Sequence, residues 1–438
     1  MTALAAVGTT GESGAGIRLP AYAAPDGSFV LWNDLTTGRS RLVGSASEPF
    51  PPDLTAAWAV PRDGPRRRSV APAEEVDGYG VFTFPYGPIT MGVAESGRFD
   101  VRTYGERILD VAPVAGYKSR RILPSLIGLS VEDAALRVER VSGNFSAAHT
   151  AAFLAAAESA IARPIDVEEA WVRAVAQELQ RIYNHVHVIA RVAEAASQNV
   201  GLAQAHAFAE EVLRQIGATF GHRWLFGAFL PGGPRAHLDT DDRARLARTL
   251  DRKSMEFEQL WTLFQDSRTF VDRIQTTCPV SRDQAVHWGG VGPTLRATGV
   301  PWDDRLRAPV VPYTDLFLPL ATESEGDALA RVLVRAQEVR SSYLLLEQLL
   351  ERWPKSPVDP VPPAATVGPN RGLGRVEGPS GDIVYDVSVV AGRVTAVGLR
   401  SASDANWPLF AIGMRDQVFT DFHFAWESFG LQFAETDR

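Results

Sequence analysis

The sequence predicts a mainly α protein with small β-elements, an α+β chain whose helices form a bundle and whose β-hairpins lie near both ends. Three observations carry that reading. Between residues 130 and 353, apolar residues recur every three or four positions over several long stretches, the spacing of one helix face. Runs that alternate with period two stand before and after them, at 79–111 and 383–400, as half-buried strands do. The chain has 438 residues, 45% hydrophobic and 22% charged, long enough to bury a large core without covalent staples.

Composition also excludes function classes. Lys plus Arg is 44 and Asp plus Glu is 52, a net charge of −8, so no nucleic-acid partner is expected. Cys278 is the one cysteine. It cannot form an internal disulfide, a Cys₄ zinc site or a thiolate-held iron–sulfur cluster. No apolar run reaches the ~18–20 residues that span a bilayer. The start, MTALAAVGTTGESGAG, lacks the basic n-region and apolar core of a signal peptide. Any membrane is expected to be met through partners.

Residues 1–78 are expected to be a loop-rich N-terminal extension: a flexible leader over 1–20, a short strand at 29–32, a proline-dense stretch at 48–54 and a solvated basic cluster at Arg66, Arg67 and Arg68. The body runs from 79 to 438. Val81, Thr83 and Pro85 alternate with Phe82, Phe84 and Tyr86, and a Tyr104-Gly105-Glu106 turn marks a hairpin. Helices follow at 131–140 and 147–161. Pro164 and Asp166 then open a long helix with Val167, Trp171, Val175, Leu179, Ile182, Val186 and Ile189 on one face. Further helices are expected at 202–220, 239–270 and 327–353, with a break at Pro231-Gly232-Gly233-Pro234. Their facing stripes can pack as a bundle. Residues 354–370 are a proline-rich linker inside this body. A second hairpin turns at Ala391-Gly392, and the tail from Trp407 is apolar enough to fold back.

No catalytic constellation stands out. His185 and His187 are two apart on a helix and point to nearly opposite faces, so they cannot share a metal. There is no phosphate loop, nucleophile elbow or dinucleotide fingerprint. Gly289-Gly290-Val291-Gly292-Pro293 is read as a tight turn with close backbone approach.

Eight segments in order carry a resemblance. They are GPITMGVAESGRFDVRTYGERILDV from Gly87, RVSGNFSAAHT from Arg140, ELQRIYNHVHVIA from Glu178, LPGG from Leu230, GGVGPTLRATGVPWDDR from Gly289, RVLVRAQEVRSS from Arg331, GLGRVEGPSGD from Gly372 and the closing TDR. Together they resemble the large subunit of group 4 nickel–iron (NiFe) hydrogenases and the D-type, 49 kDa-like subunit of NADH–quinone oxidoreductase (complex I). The resemblance implies the hydrogenase large-subunit helical bundle. In the hydrogenases two C-x-x-C motifs hold the metals. Here those positions fall on Ser142 and Phe145 and on Gln432 and Glu435. None is a thiolate, the soft anionic donor such a centre needs. An oxygen–nitrogen metal site from Ser142, His149, Gln432 and Glu435 is the conceivable replacement. The TDR close resembles a mature family C-terminus.

The complex I relatives use the vacated cavity for a quinone headgroup, recognised by a histidine in the glycine–proline hairpin and by a tyrosine. Those positions are Thr90 or Met91, and Gly143. The family's proline–arginine–glycine turn is Pro379-Ser380-Gly381. The remaining candidate cavity residues are His149 and Ser380. Arg140, Glu178, Arg181, His185, Arg296, Asp303, Arg331, Arg335 and Glu338 remain as expected buried ion pairs on facing helices.

The resemblance implies a NiFe-free component of a membrane-associated, redox-linked oxidoreductase complex, like hydrogenase-4 or complex I. The expected partners are a small iron–sulfur (complex I B-type) subunit and integral membrane antiporter-like subunits. The chain would lie in the cytoplasm, on the inner face of the cell membrane. It would hold no NiFe centre and no iron–sulfur cluster; a quinone is a ligand the cavity could take, and NAD would belong to the whole complex. The other reading is an inactive structural or regulatory paralogue. The expected face for partners is an exposed apolar patch bordered by residues 80–110 or 140–150.

Overall fold

The computed structural model describes residues 16–19, 23–24, 27–34, 40–44, 68–71, 76–89, 95–231, 233–234, 237–307, 312–355, 366–368 and 370–438. The fold is mainly helical with small antiparallel sheets.

Strands β1 (Gly16–Leu19), β2 (Ala23–Ala24), β3 (Gly27–Asp34) and β4 (Ser40–Gly44) form the first sheet, with β3 paired to the other three. The leader was expected to be flexible up to residue 20, yet 16–19 pairs in register with 31–34. Backbone pairing to a long neighbour organises a segment too short to show alternation. Arg66, Arg67 and the stretch at 48–54 lie outside the described residues.

The second sheet has the order β5-β8-β7-β6, from β5 (Arg68–Ser69), β6 (Val81–Tyr86), β7 (Arg98–Tyr104) and β8 (Arg107–Ala115). The β7–β8 hairpin turns through Gly105 at φ +59°. A two-residue ladder, β9 (Phe229–Leu230) with β10 (Gly233–Pro234), marks the break expected there.

The third sheet runs β11 (Thr366–Gly368), β12 (Arg371–Gly378), β13 (Gly381–Val390) and β14 (Arg393–Arg400) in order. Ala391 and Gly392 both have positive φ, +50° and +73°, as a two-residue hairpin turn of type I′ requires. Strand β12 was not foreseen, because glycines are poor strand formers. They serve packing instead: a Cβ at Gly374 would sit 2.0 Å from the Ala152 carbonyl oxygen.

The helices are α1 (Val131–Val138), α2 (Ser146–Ala160), α3 (Val167–Ala195), α4 (Asn199–Phe220), α5 (Thr240–Gln265), α6 (Arg268–Ile274), α7 (Arg282–His287), α8 (Gly292–Arg296), α9 (Asp304–Arg307), α10 (Ala328–Glu351), α11 (Ala402–Gly413), α12 (Phe422–Phe429) and α13 (Phe433–Thr436). The helix expected over 239–270 breaks at Asp266 and Ser267, where Ser267 turns to ψ 93°. The Phe264 and Phe270 rings, 5.2 Å apart, keep both pieces on the same core.

Helix α3 is the axis of the bundle. The Asp166 carboxylate caps it by accepting from the Glu168 N–H at 2.8 Å. Its apolar stripe is buried, but so is most of its polar side, because α4, α10 and α12 pack around it. The tail folds back as a second core, where Phe99, Trp407, Phe410, Phe422, Phe429 and Phe433 meet.

Candidate functional site

Ser142 precedes the turn that leads into α2, and Gln432 precedes α13. They are 290 positions apart in sequence, yet the Ser142 hydroxyl donates to Gln432 Oε1. The Gln432 N–H donates to Ser403 Oγ at 3.0 Å, and that hydroxyl donates to Glu435 Oε2. Glu435 Oε1 lies 3.0 Å from His149 Nε2, and His149 Nδ1 lies 3.1 Å from the Tyr385 hydroxyl. A continuous hydrogen-bonded chain therefore ties α2 to the tail. Its side chains at 142, 149, 385, 403 and 435 are all buried. Phe145, between Ser142 and His149 in the chain, is buried too and adds a phenyl ring to the main core.

The tail is seated by its neighbours. Asp437 accepts the Gly116 and Lys118 N–H groups at 2.6 and 2.8 Å. Trp407 Nε1 donates to Thr436 Oγ1 at 3.1 Å. Glu95, in the connection just before β7, accepts from the Ala434 N–H at 3.2 Å and pairs with Lys118 at 3.0 Å.

The other candidates stand apart from this chain or bear on it weakly. Thr90 and Met91 lie outside the described residues. Gly143 faces Phe226, whose ring edge would be 3.9 Å from a Cβ there. The Arg140 guanidinium stands 3.8 Å from the Phe226 ring centroid. Ser380 Oγ donates to the Gly430 carbonyl at 3.0 Å. Next to it, Arg335 donates to the Pro379 and Phe429 carbonyls at 3.3 and 2.6 Å.

Behind this wall lies a buried charge hub. Glu178 on α3 accepts from Arg305 at 3.1 Å, Tyr313 at 2.7 Å and Ser342 at 2.7 Å. Glu338 on α10 accepts from Arg296 at 2.8 Å and meets His185 Nε2 at 2.8 Å. Arg296 also reaches Glu377 at 2.9 Å and Asp303 at 3.4 Å. Arg181 donates to the Glu377 and Gly378 carbonyls. A second layer joins Asp382 to Arg375 at 3.1 Å and to Arg400 at 2.9 Å, with Asp304 against Arg375.

The hub sets its own protonation. Burial pushes the Glu178 and Glu338 carboxyls up, but the surrounding guanidinium groups overcome it and hold both below the ordinary range. Burial lowers His185 to about 3, so the ring is neutral. Burial raises Glu377 to about 7 and raises Asp304 as well.

Three expected ion pairs differ. Arg140 is half exposed and pairs with neighbouring Glu139 at 3.3 Å. Arg331 and Arg335 are buried but contact no carboxylate among the described residues. Arg331 donates to Ser428 Oγ and to the Gly326 and Cys278 carbonyls, at 2.9, 2.8 and 3.1 Å. Backbone carbonyls stand where a carboxylate was expected: those of Gly326 and Cys278 for Arg331, and of Pro379 and Phe429 for Arg335. Asp304, Arg305, Tyr313, Arg375, Glu377 and Asp382 were not singled out beforehand. Five of them sit inside the two quoted segments from Gly289 and Gly372, so the signal was present as charge density in glycine-rich loops.

Comparison with known proteins fits this geometry. The family model of the respiratory-chain NADH dehydrogenase 49 kDa subunit matches residues 204–372. The carbon monoxide-induced hydrogenase of Rhodospirillum rubrum is 27% identical over 310 residues, 69% of this chain and 84% of that protein. A D-type subunit of the NADH-quinone oxidoreductase of Roseiflexus sp. (strain RS-1) is 26% identical over 311 residues, 69% and 82% of the two chains. This chain is a homologue of the complex I 49 kDa-type and group 4 hydrogenase large subunits. The fold is also that of a chain in the membrane-bound sulfane sulfur reductase, an archaeal respiratory membrane complex, with TM-score 0.75, 22% identity, and 82% and 99% of the two chains covered.

A nickel–iron centre does not fit the residues that this homologue carries. A hydroxyl, a phenyl ring, an amide and a carboxylate stand at the ligand positions, and the polar three are already bonded to one another or to His149 and Ser403. Among the described residues, no group of three His, Cys, Asp or Glu is arranged to hold a metal ion. Exposed apolar side chains occur on and beside the second sheet: Phe82 and Phe84 on one face of β6, Tyr104 on the opposite face, and Tyr79, Ile89 and Val418 next to the strands.

Proposed function

We propose that this chain is a NiFe-free scaffold subunit of a membrane-associated, redox-linked oxidoreductase complex. The observation that carries the reading is the hydrogen-bonded chain from Ser142 to Tyr385. It joins the two segments a metal would join and leaves none of their polar side chains free to ligate one. A family frame kept around a closed site suits a subunit that positions partners rather than one that turns over hydrogen. No helix of the described residues is long and apolar enough to cross a membrane, so membrane-embedded partners would supply the anchor. The exposed aromatics of β6, Phe82 and Phe84 on one face, suit a covering subunit, for which a small iron–sulfur protein is the candidate. The complex would lie on the cytoplasmic face. NAD and any quinone would be handled by the complex, since Gly143 brings no hydroxyl to a headgroup.

Purification of the native complex through a tag on this chain tests the reading. Co-purifying iron–sulfur and integral membrane subunits, released together by mild detergent, are the expected result. A stable chain recovered alone from its native cell would instead support the structural or regulatory paralogue.

A further inference from the structure

Helices α5 and α10 pack side by side and leave a trough of about 530 Å³ on their outer side. Each helix lines it with a single stripe. The α5 stripe runs from Thr240 to Ser254, about 21 Å at 1.5 Å per residue, and the α10 stripe from Tyr343 to Glu351, about 12 Å. Ala244, Ala247 and Leu250 of α5 with Leu344 and Leu350 of α10 give it an apolar floor.

Two further features concern what lies there. Asp251, Glu347 and Glu351 line the trough, and none of the three carboxylates has an ion-pair partner among the described residues. Elsewhere on α5, Glu258 pairs with Arg340 at 2.7 Å and Glu256 with Lys253 at 2.5 Å. The cation of the trough, Arg243, is already engaged by the Leu238 carbonyl and by Thr240 Oγ1. In the wall, Tyr343 is 8% exposed and its hydroxyl has no hydrogen-bond partner among the described residues, a costly arrangement for a buried polar atom. The C-terminal end of α10 at Glu351 adds a negative helix pole.

We infer that the α5–α10 trough seats an amphipathic helix of a partner subunit, with its apolar face on the alanine–leucine floor and lysine or arginine facing Asp251, Glu347 and Glu351. Two parallel stripes on adjacent helices form the groove into which a third helix packs. The length suits about two to four helical turns at 5.4 Å each. The small alanines let the backbone approach, and the unpaired carboxylates set the sign of the occupant's charge. The inference rests on the complex-subunit reading for its partner. It places that contact far in sequence from the exposed aromatics of the second sheet.

A photo-crosslinking residue at Ala247, in the complex purified from its own cell, tests it. The expected cross-link maps to a partner segment with helical apolar spacing and Lys or Arg on one side. In a second variant, Glu347→Lys with Glu351→Lys, that partner's yield should fall about tenfold while subunits bound elsewhere stay. A complex of normal composition, with no cross-link from Ala247 and no loss on charge reversal, would overturn the inference and leave the complex reading standing. So would a cross-link to a second copy of this chain or to a segment without basic residues. A chain recovered with no partner at all would overturn both.

Discussion

The charge hub around Glu178 and Glu338 draws on α3, α8, α10 and β12, while the wall from Ser142 to Glu435 draws on α2, β13, α11 and the tail, and the two differ in how they tolerate change. In the hub every charge is shared. Arg296 serves Glu338, Glu377 and Asp303 at once. Removing one member strands several buried charges, so such a network resists piecemeal substitution. The wall has a simpler rule. Its members need only satisfy one another, and a hydroxyl–amide pair with a carboxylate–imidazole pair does so without metal. The contrast teaches that a shared buried charge network resists change at any one member, while a chain of pairwise hydrogen bonds asks only that its members match.

The largest expected effect comes from breaking the hub. Glu338→Leu removes one of the three carboxylates around Arg296 and the partner of His185 Nε2, and should cost about 3–5 kcal/mol, the range for one lost partner of a buried pair. Chemical denaturation of the purified protein measures it; a loss under 1 kcal/mol would show that the hub is not the frame.

The wall should yield less. Glu435→Leu leaves His149 Nε2 without its partner and the Ser403 hydroxyl without its acceptor, and should cost about 1–3 kcal/mol. Combined with His149→Phe, the cost should fall short of the sum of the singles, since both remove the same bond. Strict additivity in this double-mutant cycle would separate the two side chains energetically.

The smallest effect is a slope against pH. His185 is depressed to about 3, so the unfolded chain takes up its proton first, and the neutral ring's contribution fades as pH falls from 6.5 towards 3. Glu377 is raised to about 7, so the folded chain holds that proton more tightly, and its contribution is lost as pH rises from 4.5 through 7. The two slopes oppose each other between 4.5 and 6.5. His185→Gln should therefore flatten the acid loss of stability, and Glu377→Gln should steepen it. Denaturation midpoints across pH 4–8 that move in parallel for both variants would contradict these signs.

Much of the frame was legible in the sequence. The stripe from Val167 to Ile189 and the Ala391-Gly392 turn needed only periodicity and turn chemistry. Strand β12 was not legible, because its glycines answer to α2 across a gap that local pattern does not record. The wall was half legible. The motif offset pointed to Ser142, Phe145, Gln432 and Glu435, but Ser403 and Tyr385 lie in no motif that marks them. Their place in the chain depends on tertiary contacts alone. Arg331 and Arg335 looked like ion pairs because a buried charge calls for a partner, and sequence does not distinguish a carboxylate from a set of backbone carbonyls.

The central claim is that hydrogen bonds have taken over the place of a metal centre in this chain. Elemental analysis of the native complex, normalised to this subunit, tests it most directly. The account predicts no stoichiometric nickel, with iron attributable to clusters held by partner subunits. About one nickel per chain, against the donor preferences of that metal, would contradict it.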